Sequence, residues 1–167
     1  MFVRSLSAAL SIVLVTATGA LAEKPTRIDQ FKAWGAYSYK SGNGTVCYVL
    51  SVPTKKEPAN VDHGDNFFIV SQRPGQNIAY EPQAMMGYTL KPDSKVNVTI
   101  DSKTFVMFVK DKAAWLENAA EEPSLVAAMK AGSSMTVKAT SLRGTGTSYS
   151  YSLSGISAAL QKIESCK

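Results

Sequence analysis

The sequence predicts a mainly β protein: an antiparallel sandwich with one internal helix and one C-terminal helix. Three observations carry this. Short stretches alternating apolar and polar residues recur between turn clusters, the mark of half-buried strands. Apolar residues at helical spacing occur in only two places, around residues 123–132 and 154–163. The composition is that of an ordinary globular domain, with 45% hydrophobic and 19% charged residues among 167, which excludes collagen-like, low-complexity and wholly disordered chains. Two cysteines and one histidine are too few for a disulfide-dense miniprotein or a Cys/His zinc module, and no internal repeat suggests a solenoid.

Residues 1–22 are set apart as an export signal. Arg4 gives a positive start, residues 6–17 (LSAALSIVLVTA) form an apolar run too short to span a bilayer, and Ala20-Leu21-Ala22 is the small-x-small pattern cleaved before Glu23. Residues 23–167 then form a single domain, long enough to bury a core of its own, with no further segment apolar enough for a stable membrane span. Only Arg4 among the charged residues is lost, leaving 17 basic and 13 acidic side chains. The lysines are scattered and Lys55-Lys56 is the only adjacent basic pair, so no nucleic-acid surface is expected.

Taken in order, residues 31–39 (FKAWGAYSY) alternate as one strand, with Phe31, Ala33, Gly35, Tyr37 and Tyr39 on one face and Lys32, Trp34, Ala36 and Ser38 on the other. Ser41-Gly42-Asn43-Gly44 turns the chain into an antiparallel return over residues 45–52. Residues 53–66 (PTKKEPANVDHGDN) are polar with two prolines and a glycine, and predict a long surface loop. Strands are predicted over residues 66–73 and 84–90, around a Pro-Gly-Gln-Asn connection, and over residues 96–100. Residues 104–109 (TFVMFV) read as a strand buried on both faces. Asp111 is expected to cap a helical turn carrying Ala114 and Trp115. Pro123, Leu125, Val126 and Met129, with Gly132 as the stop, predict the internal helix. Strands follow over residues 134–141 and 147–153. Ser154 is expected to cap a last helix whose Ile156, Ala159, Leu160 and Ile163 make one apolar stripe. The irregular spacing of these roughly eight strands favours a sandwich over an up-and-down barrel.

Cys47 and Cys166 are the only thiols. An even pair in an oxidising compartment is most simply a disulfide. It would tie the end of the last helix to an early strand, and in the chain-entropy account a loop of this size contributes about 4 to 5 kcal/mol.

Candidates for chemistry are few. His63, within Val61-Asp-His-Gly-Asp-Asn66, could meet a metal or act as acid and base with Asp62 or Asp65, but Asp, Gly and Asn are also what a plain turn needs. Arg143-Gly-Thr-Gly-Thr147 could cradle an anion, yet it lacks the Gly-Lys-Ser/Thr signature and is read as a loop joining two strands. Trp34 and Trp115 are expected in the core rather than as exposed anchors. Tyr149 and Tyr151 are expected to face inward, with Ser148, Ser150 and Ser152 outward.

Phe31-Lys-Ala-Trp34, Gly44-Thr-Val-Cys47-Tyr48, the Ala128-Met-Lys-Ala-Gly132 helix end with Trp115, and the run from Tyr151 to Cys166 together resemble the invasion-associated locus B family of alphaproteobacterial exported proteins. The resemblance covers residues 31–166. It implies an immunoglobulin-like β-sandwich, an envelope location and a cysteine at each of the two positions found here. It brings no catalytic motif. The resulting expectation is an exported, non-enzymatic binding or envelope-maintenance module without cofactor or metal, with a protein or envelope partner, in the periplasm or at the outer surface of a Gram-negative bacterium. The alternatives are a surface-exposed host-interaction factor and, after it, a periplasmic enzyme.

Overall fold

The computed structural model describes residues 24–42, 44–76 and 78–165. The expected export signal and Cys166 lie outside the described residues. Among these, the chain forms β1 (Thr26–Phe31), β2 (Trp34–Ser41), β3 (Gly44–Ser51), β4 (Lys55–Glu57), β5 (Phe67–Arg73), β6 (Ile78–Met85), β7 (Lys95–Ile100), β8 (Lys103–Lys110) and β9 (Ala113–Leu116). Helix α1 (Glu122–Ala131), β10 (Ser134–Thr140), β11 (Gly146–Ser152) and α2 (Ile156–Glu164) complete it. This is the mainly antiparallel β architecture, with one internal and one terminal helix, that the sequence predicts. No helix among the described residues is long and apolar enough to cross a membrane.

All strands belong to one hydrogen-bonded sheet in the order β1-β2-β3-β5-β6-β9-β8-β7-β10-β11-β4, and each pairing is antiparallel. The sheet folds back on itself, so that Phe68 of β5 meets Tyr151 of β11 edge-on, with ring centroids 6.1 Å apart. One core therefore serves both halves. It contains Val49, Val70, Val98, Met107, Val137 and Tyr149, and is closed by Leu125, Val126 and Met129 of α1 and the stripe Ile156, Ala159, Leu160 and Ile163 of α2. All four residues of that stripe are buried, as the helical spacing requires.

Several elements differ from the sequence reading. Residues 31–39 are not one strand, because Lys32 adopts φ 52° and, with Ala33, turns β1 into β2 so that Phe31 pairs with Trp34. The segment 53–66 is not simply a surface loop: β4 pairs with β11, and His63 and Asn66 are buried. The strand expected over residues 84–90 lies instead at β6 and includes Pro82. That proline is tolerated because pairing with β9 begins only at Gln83, so one side of the strand is free at Pro82. In β8 only Phe105 and Met107 are buried, whereas Phe108 is 42% exposed, so the strand is covered on one face. The helical turn expected at Asp111 is β9, and Asp111 itself, at φ 54°, makes the tight β8–β9 turn. The internal helix does stop at Gly132, but in extended backbone with φ −81°, and a Cβ there would lie 2.6 Å from Ile100 Cγ2. Ser154 does not cap α2. Gly155 holds that position at φ 96°.

The closure of the sheet is local and polar as well as apolar. Trp34 is fully buried and donates its indole N–H to Ser152 O at 2.9 Å. The Ala33 amide donates to Ser154 O at 3.2 Å, and Gly155 packs so closely that a Cβ would lie 2.0 Å from Phe31 O. Gly144 also has a left-handed φ, 85°, but open space around it. Gly144→Ala should therefore cost only the backbone strain, about 1 to 2 kcal/mol. Gly155→Ala should cost visibly more, because the β1–β2 turn must also move. Urea unfolding of the two variants measures the difference, and equal losses would mean that this contact does not hold the sheet closed.

Candidate functional site

The two segments singled out for chemistry, around His63 and around Arg143, meet at one cleft. It measures about 430 Å³ and is bordered by Val61, Asp62 and Gly64, by residues 87–89, and by the β10–β11 connection from Ser141 to Thr145 with Thr147 of β11. Each wall has a local reason for its shape. Asp62 accepts the Gly64 amide at 2.9 Å through Oδ1, and Gly64 turns the chain at φ 57°. Gly87 lies against this turn so tightly that a Cβ would be 2.5 Å from both Asp65 N and His63 O. Asn66 fastens the two segments, giving its side-chain N–H to His63 O at 2.9 Å and accepting the Gly87 amide at 3.3 Å. On the opposite wall Gly144 N donates to Ser141 O at 2.8 Å and Thr145 N donates to Ser141 Oγ at 3.1 Å. Arg143-Gly-Thr-Gly-Thr147 is thus the strand-joining loop that was expected, and Arg143 stands exposed on the rim.

His63 is not in a plain exposed turn. Its ring is 7% exposed and lies edge-on to Tyr149, centroids 5.3 Å apart. Nε2 is 2.9 Å from Pro58 O, a carbonyl that only accepts, so Nε2 carries a proton. Nδ1 is 2.9 Å from the Tyr149 hydroxyl. From Tyr149 a chain of hydroxyls runs to the cleft: Tyr149 donates to Tyr88 at 3.1 Å, Tyr88 lies 2.6 Å from Thr147 Oγ1, and Thr147 donates to Ala139 O at 3.2 Å. A doubly protonated ring completes this chain in the direction His63 to Ala139. A neutral ring needs the Tyr149 proton at Nδ1 and reverses it.

Burial above all, and then the hydrogen bond with Tyr88, push the Tyr149 phenol above its ordinary value, so it stays neutral. Tyr151 is raised as well, chiefly by burial, and its hydroxyl has no hydrogen-bond partner among the described residues. Both rings face inward as expected. Neither Asp62 nor Asp65 joins His63 in a ligand set, since no group of three His, Cys, Asp or Glu side chains suited to a metal converges among the described residues. Sequence reasoning missed Tyr88 and Thr147 because their spacing shows no link to His63. Trp34 is in the core, but Trp115 is only half-buried and stacks on exposed Phe108 at 5.9 Å. Cys47 faces inward on β3 and is 4% exposed.

The model of the Invasion associated locus B (IalB) protein family matches residues 34–164, most of the chain. The protein belongs to the IalB family. No curated protein and no solved structure matches it. The IalB match takes in Trp34, the whole of the cleft and the whole of α2, ending one residue before its C-cap Ser165.

The two inward tyrosines should respond differently to loss of their hydroxyls. Tyr149→Phe takes from His63 Nδ1 its partner, leaves Tyr88 with Thr147 alone, and should destabilise the protein by about 1 to 2 kcal/mol. Tyr151→Phe removes an unpartnered buried hydroxyl and should be neutral or slightly stabilising. Denaturant unfolding gives both values, and a loss for Tyr151→Phe as large as that for Tyr149→Phe would contradict the assignment of the chain.

Proposed function

We propose that this IalB protein is an exported binding module of the cell envelope that carries out no chemical turnover and takes its ligand or partner at the cleft. The observation that carries the reading is the orientation of the chain's single histidine. Both ring nitrogens of His63 are engaged, by Pro58 O and by the Tyr149 hydroxyl, and His63 is not among the residues that line the cleft. A histidine serving as general base would hold one nitrogen toward substrate. What the cleft offers instead is the hydroxyl of Tyr88 with Thr89, Ser141 and Thr147, beside one guanidinium, Arg143, and one carboxylate, Asp62. Such groups recognise a polar surface through hydrogen bonds and orient it.

Export rests on residues 1–22, which follow the tripartite signal pattern, and it brings with it a Cys47–Cys166 disulfide that ties the chain's end to β3. Packing of α2 on β2 and β3 supports that pairing, because it carries the segment preceding Cys166 toward the strand that holds Cys47. No cofactor or nucleic acid belongs to this reading. The family's description as invasion associated favours a second reading: display on the outer surface as a host-interaction factor.

Fractionation of intact cells with protease shaving, beside a periplasmic control, separates these readings. The proposed protein is protected until the outer membrane is opened, begins at Glu23, and has a mass two hydrogens below that of the reduced chain. Removal by external protease while the control survives shifts the reading to the surface factor. Cytoplasmic protein with residues 1–22 intact, or turnover abolished by His63→Ala, overturns the proposal.

A further inference from the structure

The sheet parts beside β6. Pairing with β9 covers only Gln83 to Met85, whereas β9 continues along β8 as far as Glu117 N, which donates to Val106 O at 3.2 Å. Among the described residues, Ile78 to Glu81 pairs with a strand on the β5 side alone. The space opposite is a groove of about 670 Å³ between this stretch of β6 and α1, lined largely by apolar groups, among them Ile78, Tyr80, Pro123, Val126 and Ala127. The terminal strands of the sheet are guarded. β4 is three residues long with two lysines, and β1 carries Arg27 and Asp29, devices that discourage pairing with another chain. Ile78-Ala79-Tyr80 has neither.

The groove also has polarity. At one end stand Glu81 and Glu122; the Arg73 guanidinium lies 2.7 Å from Glu81, and no ion pair to Glu122 forms among the described residues. Burial first, and then the charge of Glu81, raise the Glu122 carboxyl above its ordinary value, as befits an acid crowded by another and lacking a cation of its own. Lys110 lines the adjoining groove but forms no ion pair with either among the described residues. At the other end the Lys130 ammonium sits 5.6 Å from the Tyr80 ring centroid, with Tyr80 donating to Glu164 at 2.8 Å. From Glu122 to Lys130 the helix rises about 12 Å, the length of roughly four residues of extended chain. A free backbone edge can pair with another extended backbone, and an apolar trough beside it takes alternate side chains.

We propose that this groove is a peptide-docking site, in which an extended segment of a partner protein adds antiparallel to Ile78–Glu81, its apolar side chains lying between β6 and α1. A basic residue at its N-terminal end meets Glu122, and a carboxylate at its C-terminal end meets Lys130. This site is separate from the cleft and does not depend on it.

The test is a ¹⁵N–¹H titration of protein expressed from the full sequence with two synthetic pentapeptides. One is acetylated Arg-Val-Thr-Val-Thr with a free carboxylate; the other is acetylated Glu-Val-Thr-Val-Thr amide. The first should shift the amides of Ile78 to Glu81 and of α1, and bind about three- to tenfold more tightly than the second. Ala127→Arg, at an exposed position of α1, should abolish the shifts while leaving the rest of the spectrum in place. Absence of shifts at millimolar peptide, equal affinity for the two peptides, shifts confined to the cleft around Tyr88, or binding undiminished in Ala127→Arg would each overturn the proposal. So would broadening of the β6 amides with protein concentration alone, which would make a second copy the occupant.

Discussion

Trp34 holds together two strands that stand far apart in the hydrogen-bonded order of the sheet. Its indole fills the space between the start of β2 and the end of β11, and its N–H reaches Ser152 O. Ala33 and Gly155 bind the neighbouring backbones within the same few ångströms. A single antiparallel ladder has two faces, and burying one of them requires that it fold back upon itself. If this junction opened, Val49, Val70, Tyr149 and Tyr151 would all meet water at once. Loss of a buried tryptophan typically costs about 3 to 5 kcal/mol, a large fraction of the stability of one domain.

The same closure sets the position of the cleft. With the end of β11 anchored at Ser152, its alternate residues Thr147, Tyr149 and Tyr151 point into the core and their hydroxyls form a row from the cleft inward. Tyr151 has no partner for its hydroxyl among the described residues. Tyr149 and Thr147 are nearer the end of the sheet, where the His63 turn and the segment around Tyr88 arrive to satisfy them. The close contact of Gly64 with Gly87 allows this. Any larger residue at Gly87 would hold the two backbones apart and carry His63 away from Tyr149.

The second groove has a different origin. β9 is only four residues long, and its pairing with β6 stops at Gln83 because Pro82 has no N–H to continue it. The chain then crosses to α1, which covers the core but leaves the outer edge of Ile78–Glu81 without a strand. One proline and one short strand thus leave an unpaired backbone beside a helix. The carboxylates Glu81 and Glu122 fall at one end of that helix and Lys130 at the other, giving the groove a direction.

Local pattern was enough wherever one face of an element meets the core and the other meets water. The stripe Ile156, Ala159, Leu160 and Ile163, the alternation of Tyr149 and Tyr151 with serines, and the hairpin at Ser41 to Gly44 are all legible from spacing, because burial imposes the period of the element on its sequence. Where backbone geometry decided, the pattern was silent or misleading. Lys32 and Ala33 fit the alternation of a strand, yet they turn the chain, since Ala33 gives its N–H to Ser154 rather than to a neighbouring strand. Pro82 hid β6 because no single sequence says that a strand will be free on one side. His63 looked like part of a solvated turn, and its burial depends on Tyr149, 86 positions away. By itself the sequence determined the class of fold, the helix faces and the inward tyrosines, all set by water's exclusion from one side of a local element. The tertiary structure alone decided which loops meet, where the sheet parts and what His63 touches, because those depend on distant backbones approaching one another at distances no local pattern records.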